Sequence, residues 1–235
     1  MNAYKEKPEQ LKSVELLCRI YETKDTNLSS RIAECTNSQS PVKTRDIRSI
    51  DLVQIKLEKE FSALGRFYER KKDQFANQPK AERIDAEKCG QVALAFYEEM
   101  PLEAKNKKGL IFGDKYDDIF SDETTAAKIL LPYSLFEFIE REKEKRAKGR
   151  STWLRYASYH ILYAIRLLAI QKRVEVEYIN IDKILKFYDR ARRAVGVARD
   201  AYRKDAKRKK REYADVLFFK SRAAKRNLEK IIDAR

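Results

Sequence analysis

Glu69-Arg70-Lys71 places a carboxylate and an ammonium two residues apart, the E-x-K half of a metal-dependent nuclease arrangement. In that chemistry the glutamate and an acid from further upstream, here Asp46 or Asp51, hold Mg²⁺ while the lysine stabilises the attacked phosphate. The intervening residues read as a helix, however, where such sites use adjacent strands. A lone E-x-K in so charged a chain reads first as an exposed or salt-bridged strand. His160, the one histidine, falls on an apolar helical face and reads as a hydrogen-bonded core residue, with no G-x-S-x-G beside it. Gly109 and Gly113 lack the Lys-Ser/Thr that a phosphate loop requires.

Two other groups of residues carry binding chemistry rather than catalysis. The polar stretch Asn37, Ser38, Gln39, Lys43, Arg45, Asp46 and Arg48 offers amide, hydroxyl and guanidinium donors of the kind that hold phosphates and read base edges. The alternative is an ordered loop whose amides satisfy neighbouring backbone. Near the carboxy terminus, residues 186–230 hold 17 Lys and Arg against 6 Asp and Glu. Arg190, Arg193, Lys204, Lys207, Arg208, Lys209, Lys210 and Arg211 lie largely off the apolar stripe. Such a row neutralises phosphates and releases counterions, and Tyr202 and Tyr213, which flank its densest run, suit base stacking. A solvated helix face or an acidic partner subunit would use the same residues.

The elements that must position these groups are mostly helical. Six glycines and five prolines in 235 residues, with abundant Lys, Glu, Arg, Ala and Leu, predict a mainly α protein. A small mixed α/β part over residues 1–120 precedes a basic helical bundle over 121–235. Val14 to Tyr21 alternates as a strand does. Thr26 or Asn27 caps a short helix, and Asp51 with Gln54 has the form of a capping box for a helix that Gly65 ends. Phe67–Lys72 reads as extended, and Asp85 opens a helix that Pro101 closes. Leu110-Ile111-Phe112 is a further short apolar stretch. From about Thr124 the periodicity is helical throughout: Ile129–Glu144, a helix capped by Ser151 that is apolar nearly all round and therefore central, one opened by Asn180 or Asp182, and a last from Tyr213 to Ile231.

Composition narrows the function classes. Cys18, Cys35 and Cys89 are scattered, so disulfide frameworks and zinc sites lack their ligands and no cofactor is expected; Mg²⁺ enters only with the nuclease reading. The most apolar run, Ile161–Ile170, contains Arg166 and is too short to span a bilayer, and no signal segment precedes it, which predicts a cytoplasmic protein. Residues 1–120 carry 22 Lys and Arg against 21 Asp and Glu, whereas residues 121–235 carry 30 against 16. That asymmetry points to a polyanionic partner.

Cys35-Thr-Asn-Ser-Gln-Ser-Pro-Val-Lys-Thr-Arg-Asp-Ile-Arg-Ser49 resembles the AIPR (abortive infection phage resistance) family, in which an asparagine, a glutamine two residues on and a branched residue precede a turn of this kind. Phe67-Tyr-Glu-Arg-Lys71 resembles the family's next station. Ile84-Asp85 through Ala95-Phe-Tyr97, Ile111-Phe112 to Tyr116-Asp-Asp-Ile-Phe120, and Leu130-Leu-Pro-Tyr133 follow in order, so that the likeness covers roughly residues 14 to 170.

The resemblance implies bacterial antiphage defence by a nucleic-acid-directed mechanism. Full members of the family are longer, with further segments upstream, so the chain reads as a carboxy-terminal portion. The leading expectation is a module that contacts nucleic acid and is not self-sufficient in catalysis. A nuclease or nuclease subunit, and a structural module docking an amino-terminal region or a partner subunit, are the alternatives.

Overall fold

The computed structural model describes residues 20, 22–29, 32, 43–147 and 152–234. It divides into two units, Met1–Val42 and Lys43–Arg235. The expected strand at Val14–Tyr21 lies outside the described residues apart from Ile20, as do Asn37, Gln39 and Ser151. In the first unit, residues 26–29 are helical. Their cap is Asp25 rather than Thr26 or Asn27: its carboxylate accepts the Asn27 and Leu28 amides at 2.9 and 3.2 Å. A carboxylate at this position satisfies two donors that the helix itself cannot.

The second unit begins with α1 (Thr44–Arg48) and α2 (Leu52–Ala63), followed by a two-stranded parallel sheet of β1 (Phe67–Glu69) and β2 (Arg83–Asp85). Phe67 pairs with Arg83, Tyr68 with Ile84 and Glu69 with Asp85. Then come α3 (Ala86–Phe96), α4 (Pro101–Asn106), α5 (Gly109–Phe112), α6 (Tyr116–Ile119), α7 (Ala126–Ala147) and α8 (Leu154–Gln171). The chain closes with α9 (Ile181–Leu185), α10 (Tyr188–Arg208), α11 (Asp215–Phe219) and α12 (Arg222–Asp233). The protein is mainly α, as composition requires. Residue 120 falls inside this unit.

The expected capping box does not form. Asp51 occupies the cap position of α2 without a side-chain cap bond, because its carboxylate pairs with Arg48 at 3.3 Å. Gln54 instead turns inward, where its side-chain oxygen accepts the Tyr68 hydroxyl at 2.8 Å. Asp85 does cap α3, accepting the Lys88 amide at 2.8 Å. Gly65 ends α2 with φ +69° and the two backbone bonds of a Schellman turn, Gly65 to Ser62 and Arg66 to Phe61. The same pattern ends α8 at Arg173 (φ 54°) and α10 at Lys210 (φ 53°), where long cationic side chains occupy a position that favours glycine.

Helix α8 is central, and its side chains are buried on nearly every side, from Leu154 to Ala169. Around it pack α3, α4, α7, α10 and α12. The short apolar stretch Leu110-Ile111-Phe112 is helical, and it lies against α3 so closely that a Cβ on Gly90 would come 2.1 Å from Ile111 Cγ2. Pro132 sits inside α7 and removes the amide that would bond Lys128 four residues back. The Tyr97 hydroxyl donates to that freed carbonyl at 2.8 Å. The helix expected from Asn180 onward is split into α9 and α10, and the last into α11 and α12 at Lys220-Ser221.

Candidate nucleic-acid interface

Of the residues singled out near β1, Arg45, Arg48 and Glu69 are engaged within the fold. Arg45 is buried; its guanidinium donates to the Arg70 and Glu69 carbonyls at 3.1 and 2.6 Å and pairs with Asp85 at 2.8 Å. A phosphate contact is therefore not available to it, which corrects the reading of Arg45 as a surface donor. Arg48 lies 4.4 Å over the Tyr116 ring and pairs with Asp51, pinning α1 to α6. Lys43 is exposed. Arg70 reaches Glu58 at 2.9 Å and the Ser49 carbonyl at 2.5 Å. The stretch from Arg45 to Arg70 is a polar knot that welds α1, α2 and the sheet together.

Glu69 is the case in which sequence spacing misleads most. Its buried carboxylate accepts the Phe75 amide at 3.2 Å and pairs with Arg83 at 3.3 Å. The sheet does set Glu69 beside an acid on an adjacent strand, but that acid is Asp85, already engaged by Arg45 and the α3 amide. Among the described residues no three His, Cys, Asp or Glu side chains gather as a metal would require. Asp46 and Asp51 do not complete such a group, and Lys71 is exposed. The E-x-K spacing is a salt-bridged strand because a buried carboxylate is retained only with donors around it.

His160 is a core residue, though not a hydrogen-bonded one. Both ring nitrogens lack a partner among the described residues, and the ring stands edge-on to Phe219 at 5.2 Å. Burial, with Lys105 adding to it, pushes its pKa down to about 3, so the ring is neutral.

The carboxy-terminal cations divide into three sets. Those with partners inside the fold or along its surface are structural: Arg199 pairs with Asp215 at 2.7 Å and lies 5.7 Å from the Trp153 ring, Arg192 pairs with Asp189, and Arg190 donates to Gln171 at 3.3 Å on the surface. A second set converges on one carboxylate. Arg208, Lys209 and Arg211 lie 2.8, 3.1 and 2.8 Å from Asp205, and hydrogen bonds from Lys209 and then Arg208 hold its pKa below the usual carboxylate range. The third set, Arg193, Lys204, Lys207 and Lys210, is exposed and has no carboxylate partner among the described residues. At about 100° per residue, Arg193, Lys204 and Lys207 share a sector of roughly 60° on the outer face of α10. Lys210 lies past the helix end, where cations also complement the helix dipole.

Beside this face lies a cleft of about 500 Å³ between α10 and α12. Tyr202, Asp205, Lys209 and Arg211 line one side, and Ala223, Arg226, Asn227, Lys230 and Ile231 the other. Sequence reading passed over Arg226, Asn227 and Lys230. The signal was present: on α12, Ala224, Leu228 and Ile232 are buried, so residues 226, 227 and 230 must turn elsewhere. Tyr202 packs against Phe218 at 5.1 Å and Tyr213 at 6.3 Å, and the Tyr213 hydroxyl donates to Asp215 at 2.5 Å. Only Tyr202 of the two expected stacking rings lines the cleft.

A family model described as AIPR protein matches residues 1–225. The chain belongs to the AIPR family. Membership makes this AIPR protein a member of an abortive-infection, phage-defence family. No curated protein and no solved structure matches it. Among the described residues of this AIPR protein, no helix is long and apolar enough to cross a membrane.

Proposed function

We propose that this AIPR protein serves phage defence as a module that contacts nucleic acid through the outer face and carboxy-terminal end of α10. The observation that carries this reading is the set Arg193, Lys204, Lys207 and Lys210, exposed cations without carboxylate partners among the described residues. Cations that stabilise the fold find acids, as Arg45, Arg70, Arg83 and Arg199 do here. Cations left in water on one helical face keep their full charge for a phosphate. Arg208, Lys209 and Arg211 form a reserve beside them, held in place by Asp205. Catalysis is not part of the proposal, since the acids near Glu69 are occupied by arginines and backbone amides.

A labelled oligonucleotide titrated at 50 mM and 300 mM salt tests it. Binding that weakens steeply with salt, and that Lys204→Glu with Lys207→Glu reduces by tenfold or more, is the expected outcome. No binding even at the lower salt would remove the reading.

A further inference from the structure

The outer face of α10 supplies charge alone, and charge does not distinguish a duplex from a single strand. The cleft beside it is different in kind. Ala201, Ala223 and Ile231 give it an apolar lining, and the Tyr202 ring, packed against Phe218 and Tyr213, lines it as well. One carboxamide, Asn227, faces it, and Arg226, Lys230, Lys209 and Arg211 stand around it. Asn227, Arg226 and Lys230 have no side-chain hydrogen bond or ion pair among the described residues. Its volume of about 500 Å³ lies in the ordinary range for small-ligand sites, roughly 300–1,000 Å³.

Those components match the parts of one nucleotide. A base presents a π-face for an aromatic ring and an edge for an amide, and its phosphate requires cations at the entrance. A paired base can offer neither its face nor its Watson–Crick edge, because stacking and pairing occupy both. We propose that the cleft between α10 and α12 is a nucleotide pocket, taking one unpaired base against Tyr202 and Asn227 with its phosphate among Arg226, Lys230 and Arg211. The proposal rests on the reading of α10 as a phosphate-binding face and adds a preference for unpaired over duplex nucleic acid. Asp205 has a defined part in it: it pairs with Lys209 and Arg211 and so holds both cations in the lining of the cleft.

A nucleoside monophosphate unit could arrive within a strand or free in solution, and the test separates these. The full chain is titrated with a labelled 12-nucleotide single strand, with the same sequence as a blunt duplex, and with adenosine 5′-monophosphate. Ala223→Met fills the cleft without removing charge, and Asn227→Ala, on the surface, removes only the amide. If the pocket serves a strand, the single strand binds roughly tenfold tighter than the duplex, the size of one base–aromatic stack; Ala223→Met brings the ratio close to one, and Asn227→Ala lowers it part of the way. If it serves a free nucleotide, adenosine 5′-monophosphate binds alone, Ala223→Met abolishes that binding and Asn227→Ala weakens it. Strand and duplex affinities that are equal in the parent, together with no nucleotide binding, overturn the pocket while leaving the basic face standing. A ratio that neither variant changes overturns it as well. Failure of every probe to bind overturns the basic-face reading on which the pocket depends.

Discussion

Replacing Lys204, Lys207 and Lys210 together by alanine is the sharpest perturbation of the proposed face, because these three have no carboxylate partner to rearrange. Each phosphate neutralised on a single strand or duplex contributes about 0.7 to 0.9 to the slope of log affinity against log salt, so three lost contacts make it shallower by roughly 2 to 3. At 0.1 M salt, one decade below a 1 M reference, the same exponents weaken binding roughly 100- to 500-fold. Arg208, Lys209 and Arg211 share Asp205, so their triple replacement frees one carboxylate while removing three cations and changes the slope by less. Anisotropy titrations at five salt concentrations give both slopes. Lys59, Lys72 and Lys107, all exposed and remote from α10 in sequence, form the control triple with the same loss of net charge. Should the control flatten the slope as much as the α10 triple, the cations would be acting through net charge alone, and the local face would be refuted.

Three further outcomes follow from the fold. Arg173→Gly should raise stability by about 0.5–1 kcal/mol in urea unfolding, since a non-glycine residue at φ 54° pays a steric cost that exceeds the extra backbone entropy of glycine. Tyr97→Phe should cost about 1 kcal/mol by removing the bond to the Lys128 carbonyl, and close to nothing in a Pro132→Ala background, where residue 132 regains the amide that bonds it; equal costs in both would show that the hydroxyl has another role. His160 is the only histidine, and its folded pKa of about 3 lies below its unfolded value near 6.5. The unfolded chain therefore binds the proton first, and stability should fall as pH drops from about 6.5 toward 3, by about 1.4 kcal/mol per unit from this group. His160→Phe should remove that component of the slope in thermal melts across pH 4 to 8.

Much of the architecture was legible because burial enforces periodicity. The all-round apolar pattern from Leu154 to Ala169 could only be a central helix, and Gly65 and Asp85 marked a helix end and start through backbone needs that few residues meet. The breaks within the last two helical stretches were not legible, since the apolar spacing continues across them. Local signals also failed where a distant partner outbid a near one. Asp51 and Gln54 had the chemistry of a capping box, yet Arg48 and Tyr68 claimed their side chains.

The functional candidates divide along the same line. Composition and charge placement alone determined a helical protein with a cationic carboxy-terminal half, because those properties are sums over residues and need no coordinates. Which of those cations are available is a matter of neighbours in space. Arg45, Arg70, Arg199 and Lys207 each carry one positive charge on paper, and only packing shows that three of them are spent on acids and carbonyls while the fourth faces water. The pairing of Glu69 with Asp85 and the cleft that joins Tyr202 to Asn227 likewise unite residues 16 and 25 positions apart. The chain sets such distances only when helices and strands pack.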